Sequence, residues 1–243
     1  MIQEEFRLDL NRNQLFMEVK EILDELKSLE NTANQAGMQR FAIGKGNTLG
    51  IKLPVLRDMA RALKKETNRH ALATGLWASE IHEAMLLASM IEDPKQVTED
   101  QMDRWTEQFY SWDLCDQVCS NLYRKLPNYL SKALEYSYRS EEFVKRCGFA
   151  LMVQYVVHAK KSPDQICLKF LERIEEEAHD ERNFVRKAVN WALRQIGKRN
   201  KYLHPLAIAS AERILKQNTP SARWIARNAL SELHDEKIIA RLR

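Results

Sequence analysis

The sequence predicts an all-α fold, a curved α-solenoid of stacked helix pairs, on three observations. Glycine and proline are scarce, 7 and 6 in 243 residues, against a usual share of about 7% and 5%. That deficit argues against a turn-rich all-β fold and against a glycine-looped nucleotide-binding fold. Strict apolar–polar alternation is nearly absent, while apolar residues recur at helical spacing along the chain. Three segments also repeat: Phe143-Val144-Lys145-Arg146, Phe184-Val185-Arg186-Lys187 and Trp224-Ile225-Ala226-Arg227, spaced 41 and 40 residues apart. A period near 40 with two helices per unit lies in the HEAT or armadillo range. The N-terminal half keeps the helices but loses the spacing. Residues 1–243 are read as a single domain, with a basic part from about 182.

The elements follow in order. Residues 15–29 place Phe16, Val19, Ile22, Leu23, Leu26 and Leu29 on one helical face. A helix over 56–63 follows Pro54, a residue suited to a helix start. Further helices are predicted near 69–78, 80–92, 98–110, 113–126, 128–138, 141–159, 163–178, 182–199, 203–217, 221–233 and 235–243, with connections of two to six residues. Such a series reads as helix pairs stacked on one another, whose concave side is the usual binding surface.

Composition excludes several classes. A hydrophobic content of 44% supports a buried core. No run approaches the ~18 apolar residues of a membrane span. Met1-Ile2-Gln3-Glu4-Glu5-Phe6 is acidic and polar, unlike a signal peptide. Four cysteines, Cys115, Cys119, Cys147 and Cys167, do not form a disulfide framework in a chain this long, and a reduced cytoplasm is expected. Net charge is +4, but it is segregated. From Arg182 to Arg243 there are 14 Lys and Arg against 4 Asp and Glu. A basic end on an otherwise acidic chain suits an anionic polymer, although a solvated basic helical surface gives the same count.

The helix near 182–199 is the most informative. At about 100° per residue, Val185, Ala188, Val189, Ala192, Leu193 and Ile196 form its core stripe. Lys187, Trp191 and Arg194 gather on the opposite side. A tryptophan between two cations can stack on a base or sugar while its neighbours hold phosphates. The bland alternative is a second helix covering this face.

A second candidate is Tyr110-Ser111-Trp112-Asp113-Leu114-Cys115-Asp116. Leu114, Val118, Leu122 and Leu126 define its core side. Trp112 and Asp116 are four apart and stack one above the other. An indole face beside a carboxylate is what a cationic centre needs. The alternative is a capping box with Asp113 as N-cap and Asp116 as the N3 residue. A third feature is Arg146, inside a helix apolar on most sides, where it needs a carboxylate, a carbonyl or a phosphate.

Other motifs are weak. His82-Glu83 lacks the second histidine of a zinc helix. Cys115 and Cys119 read as core cysteines. Gly44-Lys45-Gly46-Asn47 is a loop without the Lys-Ser/Thr ending of a phosphate-binding loop. Glu175-Glu176-Glu177 reads as a solvated face.

With these residues in view, the chain resembles the AlkD-type DNA alkylation repair proteins, the HEAT-like repeat DNA glycosylase family. The resemblance rests on Leu49-Gly50-Ile51-Lys52-Leu53-Pro54-Val55-Leu56-Arg57, Ser111-Trp112-Asp113-Leu114-Cys115-Asp116, Phe143 to Arg146, and Lys187-Ala188-Val189-Asn190-Trp191-Ala192-Leu193-Arg194. It implies a monofunctional glycosylase that removes cationic alkylpurines, of the 3-methyladenine and 7-methylguanine type, from duplex DNA. By resemblance Trp112 and Trp191 line the deoxyribose, Asp116 is the catalytic carboxylate, and Arg146 and Arg194 hold phosphates, with Lys187 beside them. The segment Gly44–Asn47 departs from the family's pattern.

The expected chemistry is hydrolysis of a bond weakened by a cationic leaving base. The oxocarbenium-like transition state needs a carboxylate beside the sugar, and the charged base needs no general acid. No metal, no cofactor and no membrane are expected, and the protein is expected to be a monomer. The alternative is a non-catalytic helical-repeat module that binds DNA structure or a protein partner.

Overall fold

The computed structural model describes residues 15, 18–44 and 46–242. Phe16, Lys45 and the Met1–Phe6 segment considered above lie outside the described residues. In chain order the helices are α1 (18–28), α2 (Thr32–Arg40), α3 (Leu53–Leu63), α4 (Arg69–Ala78), α5 (His82–Ile91), α6 (Glu99–Glu107) and α7 (Trp112–Asn121). A 3-10 turn, Tyr123–Lys125, leads to α8 (Tyr129–Tyr138), α9 (Glu142–His158), α10 (Gln165–Glu177), α11 (Asn183–Gly197), α12 (Leu203–Lys216), α13 (Pro220–Leu233) and α14 (Glu236–Ile239). No strand occurs among the described residues, and no helix among them is long and apolar enough to cross a membrane.

Most elements stand where periodicity puts them. The exception is α2, which the apolar pattern does not announce. It has no buried residue, and Asn31 caps it by accepting from the Asn34 amide at 2.9 Å. Leu29 also departs from expectation: it follows the end of α1 and is exposed, whereas Val19, Ile22 and Leu26 are buried.

The chain divides into two compact units, residues 1–102 with 110–122, and residues 103–109 with 123–243. In the first, α5 is the centre. Every residue from His82 to Ile91 is buried, and α3, α4 and α7 pack on it. The core side of α7 is Leu114, Cys115, Val118 and Cys119.

In the second unit, α8 with α9, α10 with α11 and α12 with α13 pack as pairs, and α11 also packs on α9 and α13. The core stripe expected on α11 is fully buried. Gly148 lets α9 approach α8, since a Cβ there would lie 2.5 Å from the Ser137 nitrogen. Arg199 closes the C-terminal end of α9, donating to the Val156, Ala159 and Ser162 carbonyls at 2.9 Å and to Asp164 at 2.8 Å. A cation is favoured there by the unsatisfied carbonyls of a helix end. All four cysteines are buried thiols.

Candidate nucleic-acid interface

In the first unit, Trp112 opens α7 and Asp116 follows one helical turn later on the same side. Both are half-buried. The Trp112 indole Nε1 donates to the Phe41 carbonyl at 2.8 Å, so the ring is held from the end of α2. The capping-box reading of the two aspartates is corrected. Ser111 occupies the N-cap position, in extended backbone, and Asp113 and Asp116 both lie inside the helix. Asp113 instead meets His82 Nε2 at 2.8 Å. Its other oxygen, Oδ1, is buried without a hydrogen-bond partner among the described residues.

His82 is fully buried, and its Nδ1 lies 3.0 Å from the Tyr110 hydroxyl. Burial pushes the Tyr110 hydroxyl far above its ordinary pKa, and the charges of Asp113 and Glu83 push it further. Tyr110 therefore stays protonated, and its hydroxyl also donates to Met85 Sδ at 3.9 Å. His82 thus bridges Asp113 and Tyr110 through its two ring nitrogens.

Glu83 is fully buried and accepts from the Leu49 and Gly50 amides at 2.7 Å and the Ile51 amide at 3.3 Å. The His82 amide donates to the Asn47 carbonyl at 2.9 Å. Asn34 Nδ2 reaches the Gly50 carbonyl at 2.9 Å. The Leu49-Gly50 motif has a steric reason as well. Gly50 has φ +74°, and a Cβ there would fall 2.2 Å from the Asn31 carbonyl oxygen. His82-Glu83 is thus a lock on the segment before α3. The signal for it was present in the sequence: a carboxylate inside the apolar run of α5 must find donors.

Beside this lock lies a pocket of about 380 Å³. Met38, Phe41, Ile43, Trp112, Asp113 and Gln117 are among its walls. Glu83→Gln is expected to destabilise the protein by about 2–4 kcal/mol, because hydrogen bonds to a charged acceptor are worth about 1.5–3 kcal/mol each and the new NH₂ would face an amide. Urea unfolding measures this; a loss below about 1 kcal/mol would show the segment to be held by other means.

In the second unit, Arg146 finds a carbonyl. It is 5% exposed and its Nη1 donates to Phe184 O at 2.7 Å. On α11, Lys187 is exposed with no acidic partner among the described residues, and Trp191 is half-buried. Arg194 is not a free cation: it pairs with Glu232 of α13, which also holds Lys198 at 2.5 Å. Burial pushes the Glu232 carboxyl up, but Lys198 and Arg194 outweigh it and hold the group below its ordinary pKa.

Three pairs in register join α11 to α13: Arg186 over the Trp224 ring, Asn190 Nδ2 to Asn228 Oδ1 at 2.7 Å, and Arg194 with Glu232. Sequence reasoning found the Trp224 segment as a repeat and missed it as a surface. Trp112 and Asp116 belong to the first unit, and Arg146, Lys187, Trp191 and Arg194 to the second.

A family model described as "DNA alkylation repair enzyme" matches residues 22–233. A search of curated proteins finds no match. Among solved structures, a similar one is described as "a new family of proteins related to the HEAT-like repeat DNA glycosylases with affinity for branched DNA structures". It has a TM-score of 0.76 and 19% identity, over 92% of this chain and 95% of that one. That likeness shows the fold, an all-helical array of HEAT-like repeats. Since the family model covers most of its length, the chain belongs to the DNA alkylation repair enzyme family.

Proposed function

We propose that the protein is a monofunctional DNA glycosylase that hydrolyses the N-glycosidic bond of cationic alkylated purines in duplex DNA, acting as a monomeric single domain. The observation that supports this most is the pair on α7: an indole fixed through the Phe41 carbonyl, with the Asp116 carboxylate one turn below it. Asp116 stabilises the oxocarbenium-like sugar and orients the attacking water. Trp112 and Trp191 present π faces to the positive charge, worth roughly 0.5–2 kcal/mol each. The leaving base is already cationic, so neither a general acid nor a metal is needed to expel it. Lys187 is assigned to a phosphate directly, and Arg146 and Arg194 to phosphates that must compete with the Phe184 carbonyl and the Glu232 carboxylate. The direct test is incubation with duplex DNA carrying 7-methylguanine and detection of the free base.

A second reading is a non-catalytic module that recognises DNA structure. It draws on the similar solved structure, described by its affinity for branched DNA, and on the counter-charge that Glu232 places against Arg194. Glu232 also supplies a test of where DNA lies. Glu232→Gln should free Arg194 and Lys198, tighten duplex binding and steepen its salt dependence by roughly one to two units, since each phosphate contact contributes about 0.9. Fluorescence anisotropy across a salt series measures both. An unchanged slope would remove Arg194 from the interface.

A further inference from the structure

We infer that α11 and α13 carry a stacking station for an unpaired nucleotide, with Trp224 as the base platform and Arg223 and Arg227 as phosphate ligands. The inference rests on the proposal that the protein binds DNA, and extends it to a single-stranded segment.

Trp224 is 36% exposed, among the few large apolar side chains left open to solvent. The Arg186 guanidinium lies 5.1 Å from its ring centroid. Such a cation steadies the indole by a cation–π contact and adds positive charge to the platform. Trp224 also lines a surface pocket of about 510 Å³ with Pro220, Arg223, Arg227 and Asn228.

The charge of the station is not neutralised. Arg223 donates to Asn218 Oδ1 at 3.0 Å, and Arg186 lies 3.5 Å from Asn183 Oδ1, both uncharged acceptors. Among the described residues no carboxylate pairs with Arg186, Arg223 or Arg227. One helical turn and more further along the same two helices, Glu232 takes both Arg194 and Lys198. The free cations of this surface are therefore concentrated around Trp224. Asn190 Nδ2 occupies Asn228 Oδ1, which leaves the Asn228 amide nitrogen as a donor on the pocket wall.

The repeat explains why this tryptophan is open. Phe143, Phe184 and Trp224 correspond in the 40–41-residue repeat, the first two as second residues of α9 and α11 and Trp224 as the fifth residue of α13. Phe143 and Phe184 pack on each other, with ring centroids 5.4 Å apart. Trp224 has no such aromatic neighbour among the described residues, and α14 contributes nothing to the pocket.

The chemistry selects the occupant. An indole with two arginines side by side next to it, at i−1 and i+3, matches a base with its adjoining phosphates. An acidic peptide would use the arginines and leave the ring idle. A continuous duplex would do the same, because its bases are stacked on one another. An unpaired nucleotide uses all of these groups.

The test is anisotropy with two probes, a fluorescein-labelled oligothymidylate and a duplex of the same length. Trp224→Ala should weaken oligothymidylate binding roughly fivefold to a hundredfold, as expected for loss of one base–aromatic stack, and change duplex binding much less. Trp224→Phe should retain most of the affinity, and Trp224→Leu should not, although it restores apolar bulk. Arg223→Gln with Arg227→Gln should flatten the single-strand salt slope by roughly 1.4 units. Thermal melts check that the variants are folded, and Trp224 is exposed enough that all should be. Equal losses on both probes, or none on either, overturn the station. Release of 7-methylguanine from duplex is measured separately, so an inactive wild type would sink the glycosylase proposal and leave the station to stand or fall on the binding data.

Discussion

Asp116→Asn is expected to lower alkylbase excision by roughly a hundredfold or more while leaving the fold intact. The substitution keeps the shape of the side chain and removes its charge. Loss of one well-placed electrostatic partner costs about 3–4 kcal/mol of barrier. Since Asp116 lies inside α7 and Ser111 holds the N-cap position, the variant forfeits no cap. DNA binding should survive or tighten slightly, with one carboxylate fewer to repel phosphate. Trp112→Ala and Trp191→Ala should show smaller losses, because each indole contributes less than a full charge. Single-turnover release of 7-methylguanine, read beside thermal melts, decides the matter. Equal rates in two equally folded proteins would remove Asp116 from the chemistry. No release from the wild type would shift the reading to the DNA-binding module.

Gly148→Ala is expected to cost about 1–2 kcal/mol net and lower the melting temperature by roughly 2–8 °C, at about 2–4 °C per kcal/mol for a chain of this size. An alanine inside a helix is normally better than glycine by about 1 kcal/mol. Here the added methyl would meet the Ser137 nitrogen at 2.5 Å, the Ala133 carbonyl oxygen at 2.7 Å and the Ser137 Cα at 2.8 Å. All three are backbone atoms of α8, which no rotamer change can move aside. The helices must part, and overpacking of this kind costs about 1–3 kcal/mol and sometimes more. Gly37→Ala in α2 is the matched control. Nothing lies within 4 Å of its added Cβ, so it should be neutral or stabilise by up to about 1 kcal/mol. A stabilised Gly148→Ala variant would show that α8 and α9 do not pack this closely.

Local chemistry was legible along one dimension. Helix class, most helix positions and the core stripe of α11 follow from glycine scarcity and apolar spacing, because each helix must bury one face and its period writes that face into the sequence. The pairing of Trp112 with Asp116 was legible for the same reason, since four residues are one turn. α2 was not, because a helix that buries nothing leaves no periodic trace and is announced only by its Asn31 cap. Charge partners were not legible either. Arg194 meets Glu232, 38 residues away, and Glu83 meets the amides of Leu49, Gly50 and Ile51, 32–34 residues away. Only packing one repeat on the next decides which acid reaches which cation. The same step separates Arg194, neutralised by Glu232, from Arg223 and Arg227, which keep their charge beside the open face of Trp224. The sequence therefore determined where the cations and aromatics lie along each helix. The tertiary structure decided which of them remain available to a ligand, because availability depends on neighbours brought together across the repeats.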